Sequence, residues 1–169
     1  QRYDHDGQWA SSGKTDKDLI KRLLQHDFFQ QAPPKSTGRE DFNLAWLTQE
    51  IELLGTTIEP ANTQASLLEL TAQSLINSIK QQAPKTEAIY VCGGGACNSQ
   101  LLKRIAAAAK DATLNLTVQT TTALGIAPES VEAMAFAWLA KQCIERKPAN
   151  VPRVTGAKGP RILGAIYPA

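Results

Sequence analysis

Gly93, Gly94 and Gly95, followed by Ala96, Cys97 and Asn98, are the residues whose types and spacing point most directly to chemistry. They stand in the run IYVCGGGACNSQLL, where Ile89 to Cys92 reads as a short buried strand and a helix is expected to open near Asn98. Three consecutive glycines remove every Cβ from the turn, so the main chain can take positive φ and a flat ligand can lie directly on it. The free N–H groups of a helix start would face the same place and favour phosphate oxygens or ring nitrogens. These are the physical requirements of a nucleotide seat. The alternative is a tight strand-to-helix turn with no ligand.

Two named nucleotide motifs do not fit. A dinucleotide fingerprint needs G-x-G-x-x-G, but the sixth position is Asn98, and the next strand ends Val118, Gln119, Thr120 with no acid. The G-x-x-x-x-G-K-[ST] phosphate loop is absent from the whole sequence. The run is similar to one further glycine-rich option, the adenosine-binding turn of actin-like, sugar-kinase-like ATPases, in which G-G-x-A or G-G-G-A closes a strand and the next helix packs close to the adenine.

Two further constellations carry potential function. In PPKSTGREDFNLAWL, Thr37 and Glu40 have capping-box spacing, which predicts a helix starting there and carrying Phe42, Leu44, Trp46 and Leu47. Lys35, Ser36 and Arg39 would then gather at that helix start, where an anion is favoured; a capped surface turn with solvated basic residues is the other reading. Further on, Ala127-Pro128-Glu129 opens a long helix with Val131, Met134, Ala135, Trp138 and Leu139 as its core stripe. Glu132 falls among Leu139, Cys143 and Phe136 on the helical wheel, too deep for a cap. It faces a cleft, finds a partner, or lies at the solvent edge.

The elements that must position these residues follow from the apolar pattern. Tyr3 to Trp9 contains the turn signal Asp6-Gly7 and reads as a hairpin tip or the tail of another element. Lys14 to His26 is an amphipathic helix with Asp16 as cap. Glu50 to Pro60 reads as a connection, and Thr63 to Gln82 as a long helix with a broad leucine and isoleucine face. Small residues from Ala106 to Ala109 let the helix after the glycine turn approach a sheet closely. Leu114 to Thr120 alternates as a half-buried strand, and Ile162 to Tyr167 is an apolar run fit to add a strand or plug the core. Two strands, or three, make a thin sheet for so many helices, so further strands are expected upstream of Gln1, and the chain reads as a piece of a longer protein.

A chain of 169 residues makes one domain with a sizeable core. Its 18 Lys+Arg against 16 Asp+Glu are spread without a basic block, so nucleic acid is not indicated, while small acidic ligands stay open. Cys92, Cys97 and Cys143 match neither a zinc site nor a disulfide framework, which favours a reducing compartment. No apolar stretch is long enough to span a bilayer and no signal peptide is visible, so a cytoplasmic location is expected and no membrane partner.

YDHDG, PPKSTGREDFN, VCGGGACN, TTTALGI, VEAMAFAWLA, VTGA and LGAIYP, in this order, resemble anhydro-N-acetylmuramic acid kinase across essentially the whole chain. The resemblance implies an α/β fold, specifically an RNase H-like (actin-like ATPase) lobe with an incomplete sheet flanked by helices. Residues 1–169 would form the C-terminal nucleotide-binding lobe of a two-lobe kinase that uses ATP and Mg²⁺. Its reaction cleaves the 1,6-anhydro ring of an amino sugar with water and phosphorylates O6 in peptidoglycan recycling. Gly93, Gly94, Gly95, Ala96 and Asn98 match the adenosine turn, Glu132 matches a glutamate expected near the sugar, and Lys35, Ser36, Thr37 and Arg39 match a loop of open ligand preference. The phosphate loop and the GxDxGPxN segment with the general-base aspartate have no counterpart, so no catalytic residue is assigned here and the piece is expected to be inactive alone. Cys97 stands where a basic residue is common in that family. A kinase for another sugar, or a non-enzymatic actin-like assembly module such as a homodimer, are the alternatives.

Overall fold

In a computed structural model, which describes residues 3–167, helices α1 (Gln8–Ser12), α2 (Lys17–Leu23), α3 (Asp27–Gln30), α4 (Leu44–Leu54) and α5 (Pro60–Gln82) precede strand β1 (Ala88–Val91). Helix α6 (Ser99–Asp111), strand β2 (Thr117–Thr120), α7 (Val131–Ile144) and α8 (Pro152–Thr155) follow. The result is a helix-rich α/β structure with a small parallel sheet. The strands pair in register from Ala88 with Thr117 to Val91 with Thr120, joined by α6.

Helix α5 is the central element and has α1, α2 and α6 against it. Pro60 occupies its first turn, where the missing N–H costs nothing. The loop before α2 is clamped onto the start of α5: Lys14 N–H donates to Asn62 Oδ1 at 2.7 Å and Asp16 N–H to the buried Ser66 hydroxyl at 2.8 Å. A side chain at Gly13 would collide with the Ala61 backbone, so close approach fixes glycine there. The Asp16 carboxylate then caps α2 by accepting from Asp18 and Leu19 N–H at 3.0 and 2.9 Å, as its position predicts.

One core cluster joins α2 to α5 through Leu19, Leu23 and Leu70, with Trp46, Leu47 and Ile51 of α4 laid over it. The other seats α6 on α5 through Ala72, Ile76, Ile105, Ala108 and Ala109, with Ile89 and Val118 of the sheet alongside. Alanines on both helices bring the axes close, and the fit is made helix to helix as well as helix to sheet.

Several expectations are corrected. The helix after PPKSTGRE begins at Leu44, because Asn43 is the cap: its Oδ1 accepts from Trp46 N–H at 3.0 Å while its Nδ2 donates to the Arg39 and Glu40 carbonyls. Thr37 donates instead to Asp41 Oδ2 at 2.6 Å, so no capping box forms. Helix α4 continues to Leu54 and stops at Gly55 with φ of 67°, which turns the first part of the expected connection, Glu50 to Leu54, into helix. YDHDG forms a 3₁₀ turn (His5–Gly7) leading into α1, with no hairpin. Ile162–Tyr167 is irregular and exposed, and adds no strand. Met134, Phe136 and Trp138 of α7 are exposed as well; of the expected core stripe only Val131 and Leu139 are half-buried, and Cys143 is the buried residue of this helix. Pro168, the end of the LGAIYP motif, lies outside the described residues. No helix of the described residues is long and apolar enough to cross a membrane.

Candidate functional site

The parallel pairing puts the C-terminal ends of β1 and β2 side by side, and the turns that leave them make one corner. In open α/β sheets that is where ligands gather. Gly93–Cys97 forms a 3₁₀ turn after β1, Thr121–Leu124 forms another after β2, and the turn Pro128–Ser130 that leads into α7 lies next to the glycine turn. Ala96 is half-buried within it, and Cys92 and Cys97 are exposed thiols.

The three glycines are there for different reasons. Gly93 has φ of 65°, a backbone that strains any side chain. A Cβ at Gly95 would sit in ordinary contact with Val91 and Leu101, at 3.7 and 3.8 Å. Gly94 has no positive φ, and a Cβ added there meets nothing within 4 Å. Gly94 alone combines the absence of a positive φ with open space where a Cβ would stand.

Behind this turn two donors at the start of α6 are already occupied, contrary to the expectation of free donors. Ser99 N–H donates to Asp6 Oδ1 at 2.7 Å, and Leu101 N–H donates to Asn98 Oδ1 at 2.9 Å. The hydrogen bond from the Ser99 main chain, and secondarily its hydroxyl, holds the Asp6 carboxyl below the usual carboxylate range. Asn98 is therefore a helix cap in the structure, and Gly7, φ 68°, lies so close to its Oδ1 that a side chain there would collide. The corner offers no Lys or Arg between Cys92 and Leu102 or between Thr120 and Glu132, and Glu129 and Glu132 bring negative charge. Such a surface suits a neutral flat ring better than a polyphosphate.

Glu132 lies in the first turn of α7, not deep in it, and is exposed; α7 follows directly on the Pro128–Ser130 turn. Lys35, Ser36, Thr37 and Arg39 are not gathered at a helix start. Lys35 Nζ donates to the Phe28 carbonyl at 2.7 Å and sits 4.6 Å above the Phe28 ring, which holds its own loop; Ser36 and Arg39 are exposed. That loop is anchored by Phe42, whose ring contacts those of His26, Phe28, Phe29 and Trp46. Two residues of the corner escaped sequence reasoning. Asp6 is hidden because its partner lies 93 residues away, and Thr121 is the middle of three threonines in TTTALGI, with nothing local to mark it. Among the described residues no three His, Cys, Asp or Glu side chains group so as to hold a metal.

The family profile described as anhydro-N-acetylmuramic acid kinase matches residues 1–169. The chain belongs to that family. Proteins named anhydro-N-acetylmuramic acid kinase from Pseudomonas syringae pv. tomato, Thiobacillus denitrificans and Coxiella burnetii are 51%, 49% and 47% identical to it. These alignments cover 100%, 99% and 98% of the chain but 45%, 44% and 43% of the relatives. The chain thus spans less than half the length of the anhydro-N-acetylmuramic acid kinases it matches.

Proposed function

We propose that the full-length protein carrying this chain is an ATP-dependent sugar kinase that opens the 1,6-anhydro ring of anhydro-N-acetylmuramic acid with water and phosphorylates O6. Water supplies the new anomeric hydroxyl as the C1–O6 bond breaks, and O6 takes the terminal phosphoryl group of ATP, giving N-acetylmuramate 6-phosphate and ADP in cytoplasmic peptidoglycan recycling. Residues 1–169 act as the C-terminal lobe of an actin-like, RNase H-like pair. Gly93 to Ala96 form the floor under the adenine, Asn98 holds the helix behind it, and Glu132 reaches toward the sugar. The general-base aspartate and the phosphate loop are left to the rest of the full-length protein.

The observation that carries this reading is Gly94. Neither backbone nor packing within the described residues asks for glycine there, and a ligand lying on the main chain is a physical reason for it. Family membership supplies the substrate class. The exposed apolar side of α7 supports the lobe assignment, since Phe136, Ile144, Leu163 and Ile166 line a groove of about 560 Å³ that further chain would cover. Mg²⁺ would neutralise the phosphates of bound ATP, but the described residues do not form a metal-ligand group, and no step is assigned to it here.

The test is turnover. Full-length protein should convert ATP and anhydro-N-acetylmuramic acid into a 6-phosphate ester, and residues 1–169 alone should not, since a lost general base forfeits about 10²- to 10⁴-fold. Turnover by the short piece would refute the lobe assignment. Phosphorylation of a different sugar in its place would move the protein to another kinase specificity. A second reading, a non-enzymatic module that pairs two copies through α7, draws on the same apolar groove. Light scattering of the full-length protein separates the two: a concentration-independent monomer that titrates with ATP rules out pairing as its purpose.

A further inference from the structure

We infer that Thr121 is a specificity-determining residue of the corner, its hydroxyl hydrogen-bonding a polar edge of a bound nucleoside, either a ring nitrogen or amine of the base or a ribose hydroxyl. The inference rests on the reading of the glycine turn as a nucleotide seat. The Thr121 residue is 8% exposed and its Oγ1 is buried without a hydrogen-bond partner among the described residues. Burying a hydroxyl unpaired is unfavourable, and folded proteins avoid it where nothing is gained. The other buried side-chain atom without such a bond, Arg22 Nε, lies 2.5 Å from the Glu50 carboxylate, so ionic contact accounts for it. Thr121 has no such compensation.

Its place in the fold says what the partner is. Val91 pairs with Thr120, so Thr121 stands one residue past the sheet on β2 as Cys92 does on β1, immediately beside the step into Gly93 and Gly94. The Thr121 carbonyl accepts from Ile126 N–H at 3.1 Å and the Thr122 carbonyl from Gly125 N–H at 2.9 Å, so the turn satisfies itself through its main chain and leaves the hydroxyl unused. A hydroxyl both donates and accepts, as the mixed edge of a purine or a ribose requires. The surroundings disfavour the phosphate end: no Lys or Arg lies in either turn, the turn that carries Glu129 lies next to the glycine turn, and two of the α6 donors are taken by Asp6 and Asn98. The corner therefore recognises the nucleoside and leaves the phosphates to other parts of the site.

Calorimetric titration of the full-length protein with adenosine and with ADP tests this on Thr121→Val, Thr121→Ser and Gly94→Val. Thr121→Val, nearly isosteric, should weaken both ligands by about three- to tenfold, the worth of one neutral hydrogen bond, and Thr121→Ser should restore binding to within about twofold. The melting temperature of ligand-free Thr121→Val should equal or exceed that of the parent, since the substitution removes an unpaired buried hydroxyl. Unchanged affinity in Thr121→Val alongside weakened binding in Gly94→Val overturns the role of Thr121 alone. Unchanged affinity in both removes the nucleotide seat itself. Unchanged affinity with a lowered melting temperature assigns the hydroxyl to a protein partner and likewise overturns the proposal.

Discussion

The carboxylate of Asp6 accepts a 2.7 Å hydrogen bond from the main-chain N–H of Ser99, across 93 residues of sequence. That single bond ties the first described turn of the chain to the helix behind the glycine corner. It also sets a carboxylate at the helix N-terminus, where an anion is favoured.

The bond gives the fold an acid-sensitive contribution of known sign. A carboxyl held below its ordinary range stabilises the folded state fully above that range, and the contribution is lost as pH falls through the lowered value. Asp6→Asn should therefore be less stable than the parent at neutral pH, with the gap closing in acid. Urea denaturation at several pH values checks it; a gap that stays constant or widens toward low pH contradicts the assignment.

Glu69 is 4% exposed between α5 and α6, and Arg104 pairs with it through Nε and Nη2, while Gln73 Nε2 donates to it at 2.6 Å. The hydrogen bond to Glu69 raises the Arg104 pKa, and Arg104 reaches on to Asp111. Replacing Arg104 by Met strands a buried carboxylate. The expected loss is about 2 kcal/mol, below that of a fully buried pair because Arg104 is partly open to solvent. A lowered denaturation midpoint at constant slope is the readout.

The cap of α4 separates two readings of one loop. Asn43→Ala should cost about 1 kcal/mol and Thr37→Ala close to nothing, since only Asn43 caps a helix donor. The reverse order would restore the capping box at Thr37.

Gly94→Val should leave folding nearly unchanged and weaken adenine-nucleotide binding by about tenfold or more, because the side chain enters the open space where the ring would rest. Gly93→Val, by contrast, should lower stability directly, since φ of 65° disfavours a branched residue. Equal nucleotide affinity in Gly94→Val and the parent would leave Gly94 without a ligand role.

If the proposed function holds, Glu132→Gln should reduce turnover of the full-length protein by about tenfold or more while ADP affinity stays within about twofold, the outcome for a group that meets the sugar. Steady-state kinetics beside a binding isotherm decides it. Equal activity would make Glu132 an ordinary exposed residue of the first turn of α7.

Local signals were the legible part of this chain. Asp16 before a leucine-patterned run, the apolar periodicity from Thr63 to Gln82, and the apolar-to-glycine step at Val91 are each carried by neighbouring residues, and the structure has the cap and the α2 helix it starts, the long helix, which begins earlier, at Pro60 of the expected connection, and the strand close to its expected place. Reading failed where a distant partner decides. Phe42 looks helical by spacing but is claimed by the rings of His26, Phe28, Phe29 and Trp46, and Asn43 outcompetes Thr37 as cap. The apolar stripe of α7 reads as core because periodicity records which face seeks burial; in the structure Met134 and Trp138 of that stripe remain open. At the candidate site, the glycine turn was visible as composition, but the filling of the α6 start by Asp6 and the lone hydroxyl of Thr121 are three-dimensional facts with no local mark.

With only β1 and β2 in the sheet, each has one flank of main-chain N–H and C=O groups without a strand beside it among the described residues. Such flanks act as templates for any extended peptide, a second molecule included. Preparations of these residues alone will thus be sensitive to concentration and to refolding history, and adding a peptide that docks as a neighbouring strand should make them easier to handle.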